Sequence, residues 1–304
     1  MNHSLQHNSG TNARHVSEHI PRTALVLGGG GSAGNAWLIG VLAGLVEAGL
    51  DVTQADLIVG TSAGSTAAAQ ITGASPAVLL ADILAAASQP RTGAAGSGRG
   101  PAPTRPPTNQ METTGAIIAA AENAADMRRR MGAWALASDE ASTGTAQTQW
   151  RTTVAARLPS QLWPRQQVLI TAVNAHTGEP VVFDRHSGVE LADAVAASCA
   201  SGFAYRIGDS RYIDGGYRRN ENADLAAECA QVLVLSPFGG RSRHPRAWGM
   251  DLAAQLAELR AGGSRVETIF PNDNARTAFG DNMMDPSARP PAARAGLEQG
   301  KAVA

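Results

Sequence analysis

Short apolar runs alternate along the chain with longer segments in which apolar residues recur at helical spacing. The apolar runs predict strands at 23–27, 56–59, 167–173, 181–183, 231–235 and 266–270, and a short strand that ends at Asp214. The segments between them predict helices at 36–48, 65–72, 75–87, 113–137, 149–158, 190–200 and 250–260, and a last helix from residue 291. The run at 231–235 is mostly apolar, which is typical of a central strand buried on both faces.

This alternation is typical of a three-layer α/β/α sandwich with a mostly parallel central sheet. A chain of 304 residues is long enough for one such domain, and we expect it to cover residues 21–304. Residues 1–20 are polar, so they predict a disordered leader rather than a signal peptide. Residues 89–110 are rich in Pro, Gly, Ser, Thr and Arg, which predicts a mobile insertion.

Composition and charge exclude several classes of function. The net charge of −1 gives no bias toward nucleic acid, and 43% of the residues are hydrophobic, as in a globular protein. The longest apolar run, residues 36–46, falls short of the ~20 residues that cross a membrane. We therefore expect a cytoplasmic protein whose contact with a membrane is at most peripheral. Cys199 and Cys229 have neither metal-ligand nor redox spacing, so we expect buried free thiols and no metal site.

A G-x-S-x-G segment, Gly60-Thr61-Ser62-Ala63-Gly64, follows one of the predicted strands and precedes a helix of small residues. In such a strand–turn–helix elbow the serine hydroxyl is exposed on a sharp turn, and the flanking glycines keep the backbone free of clashes. Ser62 is therefore the predicted nucleophile. Gly30-Gly31-Ser32-Ala33-Gly34 matches the same pattern, but Ser32 lies inside a glycine loop better suited to presenting backbone N–H groups.

That glycine loop lies between the first predicted strand and the first predicted helix. Glycines let consecutive N–H groups approach a ligand, and N–H groups at a helix start form an anion site. We interpret the loop as an oxyanion hole, in which each donor contributes roughly 3–4 kcal/mol to transition-state stabilisation. The predicted donors are the N–H groups of Gly30 and Gly31, together with that of Ala63.

A third motif, Tyr212-Ile213-Asp214-Gly215-Gly216, ends a short predicted strand. The three motifs, in this order, resemble those of the patatin-like lipid acyl hydrolases, from about residue 23 to residue 270. The resemblance implies a patatin-like fold, a Ser62–Asp214 dyad and hydrolysis of lipid acyl esters without a cofactor. It also implies an oxyanion-hole loop at Gly29, Gly30, Gly31 and Gly34. Two departures from the family pattern are Ala33, where many members have Arg or Lys, and Ser201-Gly202, where many have Pro-Gly.

Two alternatives stay open at this point. His244 follows Asp214 in the chain, so it fits the Ser…Asp…His order of a carboxylesterase triad, although its arginine-dense surroundings predict a lowered pKa. Gly29-x-Gly31-x-x-Gly34 also fits a dinucleotide-binding module, which needs an acidic residue at the end of the next strand. Asp56 stands at the beginning of that strand instead. His176 and His186 are predicted to be surface residues.

Overall fold

The structure is a computed structural model, and it describes residues 23–88, 107–140 and 145–304. The leader predicted at 1–20 lies outside the described residues, as does most of the insertion predicted at 89–110. The last part of that range belongs to a helix that begins at Pro107. Proline is favoured at a helix start because its fixed φ is already helical and it lacks an N–H that would go unpaired there.

The described residues form one mixed sheet of eight strands. In chain order they are β1 (Thr23–Leu27), β2 (Leu57–Gly60), β3 (Gln167–Asn174), β4 (Pro180–Phe183), β5 (Tyr205–Ile207), β6 (Ser210–Asp214), β7 (Gln231–Leu235) and β8 (Arg265–Ile269). Consecutive strands of the path β5-β6-β3-β2-β1-β7-β8 are hydrogen-bonded to each other, and β4 also pairs with β3. The pairings among β1, β2, β3, β7 and β8 are parallel, and the others are antiparallel.

Helices cover both faces of the sheet. They are α1 (Gly31–Glu47), α2 (Ala63–Ile71), α3 (Pro76–Ser88), α4 (Pro107–Ala120), α5 (Ala124–Glu140), α6 (Thr145–Ala155), α7 (Leu191–Ser198), α8 (Leu252–Ala261), α9 (Asp273–Phe279) and α10 (Arg289–Val303). Leu25 and Leu27 of β1 face the layer that contains α1, α2 and α7, whereas Val26 faces α8. This alternation follows from the period of two in a strand. The predicted three-layer α/β architecture is confirmed.

Several element boundaries differ from the predictions. The single helix predicted at 113–137 is two helices, because Asn123 caps the start of α5 by accepting the Asp126 N–H at 2.9 Å. The first helix starts at Gly31 rather than at residue 36, and the Gly34 N–H closes its first turn on Gly30 O at 3.0 Å. Neither β5 nor α9 was predicted, since both are short and lack a run of apolar residues.

One edge of β3 brings two distant segments end to end. Ile170 pairs with Gly60 on one side and Phe183 on the other, and Ala172 pairs with Asp214 and Val181 in the same way. A strand residue has one neighbour per edge, so β2 and β6 lie one after the other on the edge opposite β4. The ends of these two strands are therefore two β3 positions apart, roughly 7 Å along the strand.

Helices α1 and α10 run side by side with their backbones in contact. A Cβ placed on Gly40 would lie 2.1 Å from Ala293 O, and one on Gly296 would lie 2.5 Å from Trp37 O. Gly44 and Gly300 are equally crowded by the opposite backbone. The absence of side chains at these positions is what lets α10 pack so close to the helix that carries the glycine loop.

We predict that Gly40→Ala destabilises the protein although alanine is the better helix former. Propensity alone would add about 1 kcal/mol of stability, whereas the clash with Ala293 O costs more, for an expected net loss of about 2 kcal/mol. Urea unfolding measures the difference. Gly262→Ala is the matched control. Gly262 has a φ of −75°, and a Cβ placed on it would lie 3.4 Å from the nearest atom, which is an ordinary contact. A Gly40→Ala protein as stable as wild type would contradict the close contact.

Candidate active site

Ser62 lies on the sharp turn between β2 and α2. Its φ of 52° and ψ of −116° are unusual for a residue with a Cβ, and Asn222 is the other described non-glycine residue with positive φ. The turn is possible because its flanking residues are glycines: a Cβ on Gly64 would lie 1.9 Å from Leu27 O, and one on Gly60 would lie 2.7 Å from Ser65 Cα. The segment has the geometry of a nucleophile elbow.

The glycine loop lies directly beside Ser62. A Cβ on Gly29 would lie 3.5 Å from Ser62 Cβ, and one on Gly30 would lie 2.4 Å from Pro237 Cβ. Gly31 has a φ of +63°, which an L side chain rarely adopts. The loop can follow this path only because these positions are glycines.

The backbone hydrogen bonds of the loop decide which N–H groups remain free. Gly29 donates to Asn220 O at 3.1 Å and Gly34 donates to Gly30 O at 3.0 Å, so these two N–H groups are occupied. Within the described parts of the chain, the N–H groups of Gly30, Gly31 and Ala63 have no acceptor. Gly29 and Gly34 thus shape the loop, and the other three positions retain donors for an anion.

Asp214 ends β6 and points at the elbow. The residue is 8% exposed, and its carboxylate accepts a hydrogen bond from the Gly216 N–H at 2.8 Å. Burial raises the pKa of Asp214 to about 6, while the Gly216 N–H and the nearby Ser62 side chain act in the opposite direction. The structure therefore brings together the two residues that the motifs single out.

A buried polar network underlies this pair. The Asn222 amide donates to Thr61 Oγ1 at 3.0 Å, to Thr171 Oγ1 at 3.3 Å and to Gly215 O at 3.3 Å, and the two threonine hydroxyls are 2.9 Å apart. It thereby joins the residue before Ser62, the middle of β3 and the residue after Asp214. Sequence analysis missed Asn222; its one local signal is that asparagine tolerates positive φ better than most residues.

A buried acid supports the glycine loop from behind. Glu221 is 1% exposed and accepts hydrogen bonds from Ser236 Oγ at 2.7 Å and from the Asn220 amide at 2.9 Å. Burial raises the pKa of Glu221, since no cation is bonded to it within the described residues. A Cβ on Gly28 would lie 3.2 Å from Glu221 Cγ. Sequence analysis did not single out Glu221 or Asn220.

The profile of the family described as "Patatin-like phospholipase" matches residues 25–227, about two thirds of the 304-residue chain. The chain belongs to the patatin-like phospholipase family. Membership implies a hydrolase that acts on lipid acyl esters, and the resemblance predicted from the three motifs is confirmed.

Among solved structures, the chain is similar to VipD from Legionella pneumophila, with 14% sequence identity and a TM-score of 0.41. The match covers 92% of this chain and 66% of the VipD chain. No curated protein matches the chain significantly.

Residues beyond the patatin-like match also shape the site. Pro237 packs on Gly30, and the Met283 carbonyl accepts the Ala33 N–H at 2.9 Å. A Cβ on Gly31 would lie 2.9 Å from Met284 Sδ. The segment before α10 therefore forms one wall of the glycine loop.

His244 does not join Ser62 and Asp214. Its Nδ1 lies 2.9 Å from Ser242 Oγ, and its ring stacks on Trp248 with centroids 6.3 Å apart. Burial, followed by the charge of Arg243, lowers the pKa of His244 to about 4, as the arginine-dense loop predicts. His176 and His186 are exposed, as predicted.

Asp56 lies at the wrong end of β2 for a dinucleotide site. Its carboxylate accepts bonds from the Thr23 N–H at 3.0 Å and the Thr23 hydroxyl at 2.9 Å, where β1 begins. The ribose-binding acid of such a site stands at the other end of the strand, next to the glycine loop. That end of β2 leads into the Ser62 elbow.

The described residues contain no cluster of three or more His, Cys, Asp or Glu side chains arranged to hold a metal ion. Cys199 and Cys229 are free thiols, as predicted, and Cys229 is buried, whereas Cys199 is only partly buried. None of the helices in the part of the chain that the structure describes has the length and apolar character that crossing a bilayer requires.

We predict that Asn222→Gly destabilises the protein by about 3 kcal/mol, because it leaves buried hydroxyl and carbonyl groups without their donor. Glycine adopts the positive φ of Asn222 without strain. The loss of unfolding free energy therefore reports the hydrogen bonds of the Asn222 amide and not a change in backbone strain. Urea unfolding at constant pH gives the value. An Asn222→Gly protein with wild-type stability would show that the network does not tie these strands together.

Proposed function

We propose that this chain is a serine acyl hydrolase of lipid acyl esters, with Ser62 as the nucleophile and Asp214 as its base. The observation that carries the proposal is the register on β3, which ends β2 opposite Ile170 and places Asp214 opposite Ala172, so that the Ser62 elbow faces the buried Asp214 carboxylate. The free N–H groups beside Ser62 and membership of the patatin-like family support it.

In the first step the Ser62 hydroxyl oxygen attacks the ester carbonyl while its proton passes to Asp214. The carbonyl electron pair moves to oxygen, and the N–H groups of Gly30, Gly31 and Ala63 donate to that oxyanion. Each such donor contributes about 3–4 kcal/mol to the stability of the transition state. The intermediate then collapses, and Asp214 returns the proton to the departing alcohol oxygen, which leaves an acyl group on Ser62.

In the second step Asp214 takes a proton from water as the water oxygen attacks the acyl carbonyl. Collapse of the second tetrahedral intermediate breaks the bond to Ser62, whose oxygen recovers a proton from Asp214. One carboxylate therefore serves as base and acid in each half of the reaction. The raised pKa of Asp214, about 6, makes this acid and base role easier than it would be for an ordinary aspartate.

The proposed substrate is a lipid ester because apolar side chains border the glycine loop. Met284 is 64% exposed and lies against Gly31, and Met283 contacts Gly34. An acyl chain laid along these flexible thioether side chains would be partly removed from water. Peripheral contact with a lipid surface follows as part of the same proposal.

We predict that Ser62→Ala abolishes ester hydrolysis and fluorophosphonate labelling without loss of fold. Ser32→Ala is the matched control and should retain most of the activity, since Ser32 lies in the first turn of α1, from which the proposal uses only backbone groups. Mass spectrometry of the labelled peptide identifies the nucleophile, and an adduct on Ser32 would overturn the assignment. Wild-type rates on esters and phospholipids of graded chain length test the substrate class, and a preference for the shortest esters would contradict it.

We predict that kcat/KM rises with pH through an apparent pKa of about 6, since Asp214 must be deprotonated to accept the serine proton. Asp214→Asn should lower kcat by several orders of magnitude and abolish the rise of kcat/KM with pH. His244→Ala should stay within about tenfold of wild type, because His244 bonds neither Ser62 nor Asp214. A loss in His244→Ala equal to that in Asp214→Asn would indicate a three-residue triad.

A further inference from the structure

The end of α7 contacts both polar backbone groups of Ser62. Ser198 is fully buried, and its hydroxyl oxygen accepts the Ser62 N–H at 2.9 Å. The next side chain, Cys199, donates its thiol hydrogen to Ser62 O, with the sulfur 3.2 Å from that oxygen. Two adjacent side chains thus hold the peptide groups on either side of the nucleophile.

The residue after these two holds the other member of the pair. Ala200 O accepts the Asp214 N–H at 3.0 Å. Residues 198–200 therefore bond Ser62 through two side chains and Asp214 through one carbonyl. This segment fixes the backbone of Ser62 relative to the backbone of Asp214.

The backbone of Ser62 needs such support. With φ 52° and ψ −116°, it occupies a region that is strained for residues with a Cβ and that persists only where the surroundings hold it. Besides Cys199, Ser65 contributes a hydroxyl bonded to Ser62 O at 2.7 Å, but Ser65 lies on the helix that Ser62 itself starts. Ser198 and Cys199 bond the elbow from a separate element of the fold.

Cys199 is suited to this role as a neutral donor. Burial, followed by the nearby charge of Asp214, raises the pKa of its thiol to about 11, so the hydrogen stays on sulfur at neutral pH. The thiol also lies 3.6 Å from the hydroxyls of Ser65 and Thr66, which fixes its direction.

We propose that residues 198–200 are a positioning segment that sets the Ser62 hydroxyl against the Asp214 carboxylate, with Ser198 and Cys199 as its positioning side chains. The inference rests on the proposed function for its catalytic consequence. Its structural content, that Ser198 holds the Ser62 N–H, is testable without any activity.

The test compares Ser198→Ala and Cys199→Ala with the conservative variants Ser198→Thr and Cys199→Ser, which keep an acceptor and a donor respectively. Cys229→Ala is the matched control, since Cys229 is the other free thiol but packs in the core on the α8 face of the sheet. Each protein is assayed for fluorophosphonate labelling rate, kcat, KM and the pH profile of kcat/KM.

We expect both alanine variants to label about 10–100-fold more slowly than wild type, since misplacing a reacting atom by about 1 Å costs on this order. kcat should carry the loss while KM stays within about twofold. The rise of kcat/KM should move to higher pH, because a displaced Ser62 hydroxyl lowers the pKa of Asp214 less. The conservative variants should recover most of the rate, and Cys229→Ala should match wild type.

Wild-type labelling rates and an unmoved rise of kcat/KM with pH in both alanine variants would overturn the positioning role while leaving the proposed function intact. Failure of wild type itself to label would overturn the proposed function instead. In that event, amide hydrogen exchange of Ser62 decides the structural content: Ser198→Ala should speed exchange at least tenfold, and an unchanged rate would overturn it.

Discussion

The site depends on one constraint, the shared edge of β3 on which β2 and β6 end facing each other. Parallel β2 ends at Gly60 opposite Ile170, two residues before Ser62, and antiparallel β6 ends with Asp214 opposite Ala172. Thr171 lies between them, and its hydroxyl bonds to Thr61 and Asn222. If the register of β6 on β3 shifted by two residues, Asp214 would move by roughly 7 Å, far beyond hydrogen-bond reach of Ser62.

The Asp214 carboxylate is buried, and none of the residues that the structure describes places a bonded cation against it. Asp214 accepts one backbone N–H and lies near the Ser62 hydroxyl, and these neutral groups compensate part of the cost of removing its charge from water. Glu221, behind the glycine loop, also accepts hydrogen bonds from neutral groups, the Ser236 hydroxyl and the Asn220 amide. Burial raises the pKa of both acids, and the neutral donors around them offset only part of that rise.

Motifs with a local signature could be predicted from the sequence. The Ser62 elbow, the glycine loop and the Asp214 strand each combine a strand pattern with glycines that the backbone geometry requires, so their order and context sufficed. Asn222, Ser198 and Cys199 could not be found in this way. Each acts through contacts between segments far apart in the chain, and a serine at the end of an alanine-rich helix has no pattern that distinguishes it from any other. The boundary at Pro107 and the break at Asn123 were missed because capping residues outweighed the average composition around them.

Helices α1 and α10 meet through glycines, backbone against backbone. Side chains can change rotamer to absorb a mutation nearby, but two main chains in contact have nothing to adjust. A larger side chain in either helix therefore requires the other backbone to move away. Helix α10 thus fixes the position of the helix that carries the glycine loop, although it lies outside residues 25–227, which match the family profile.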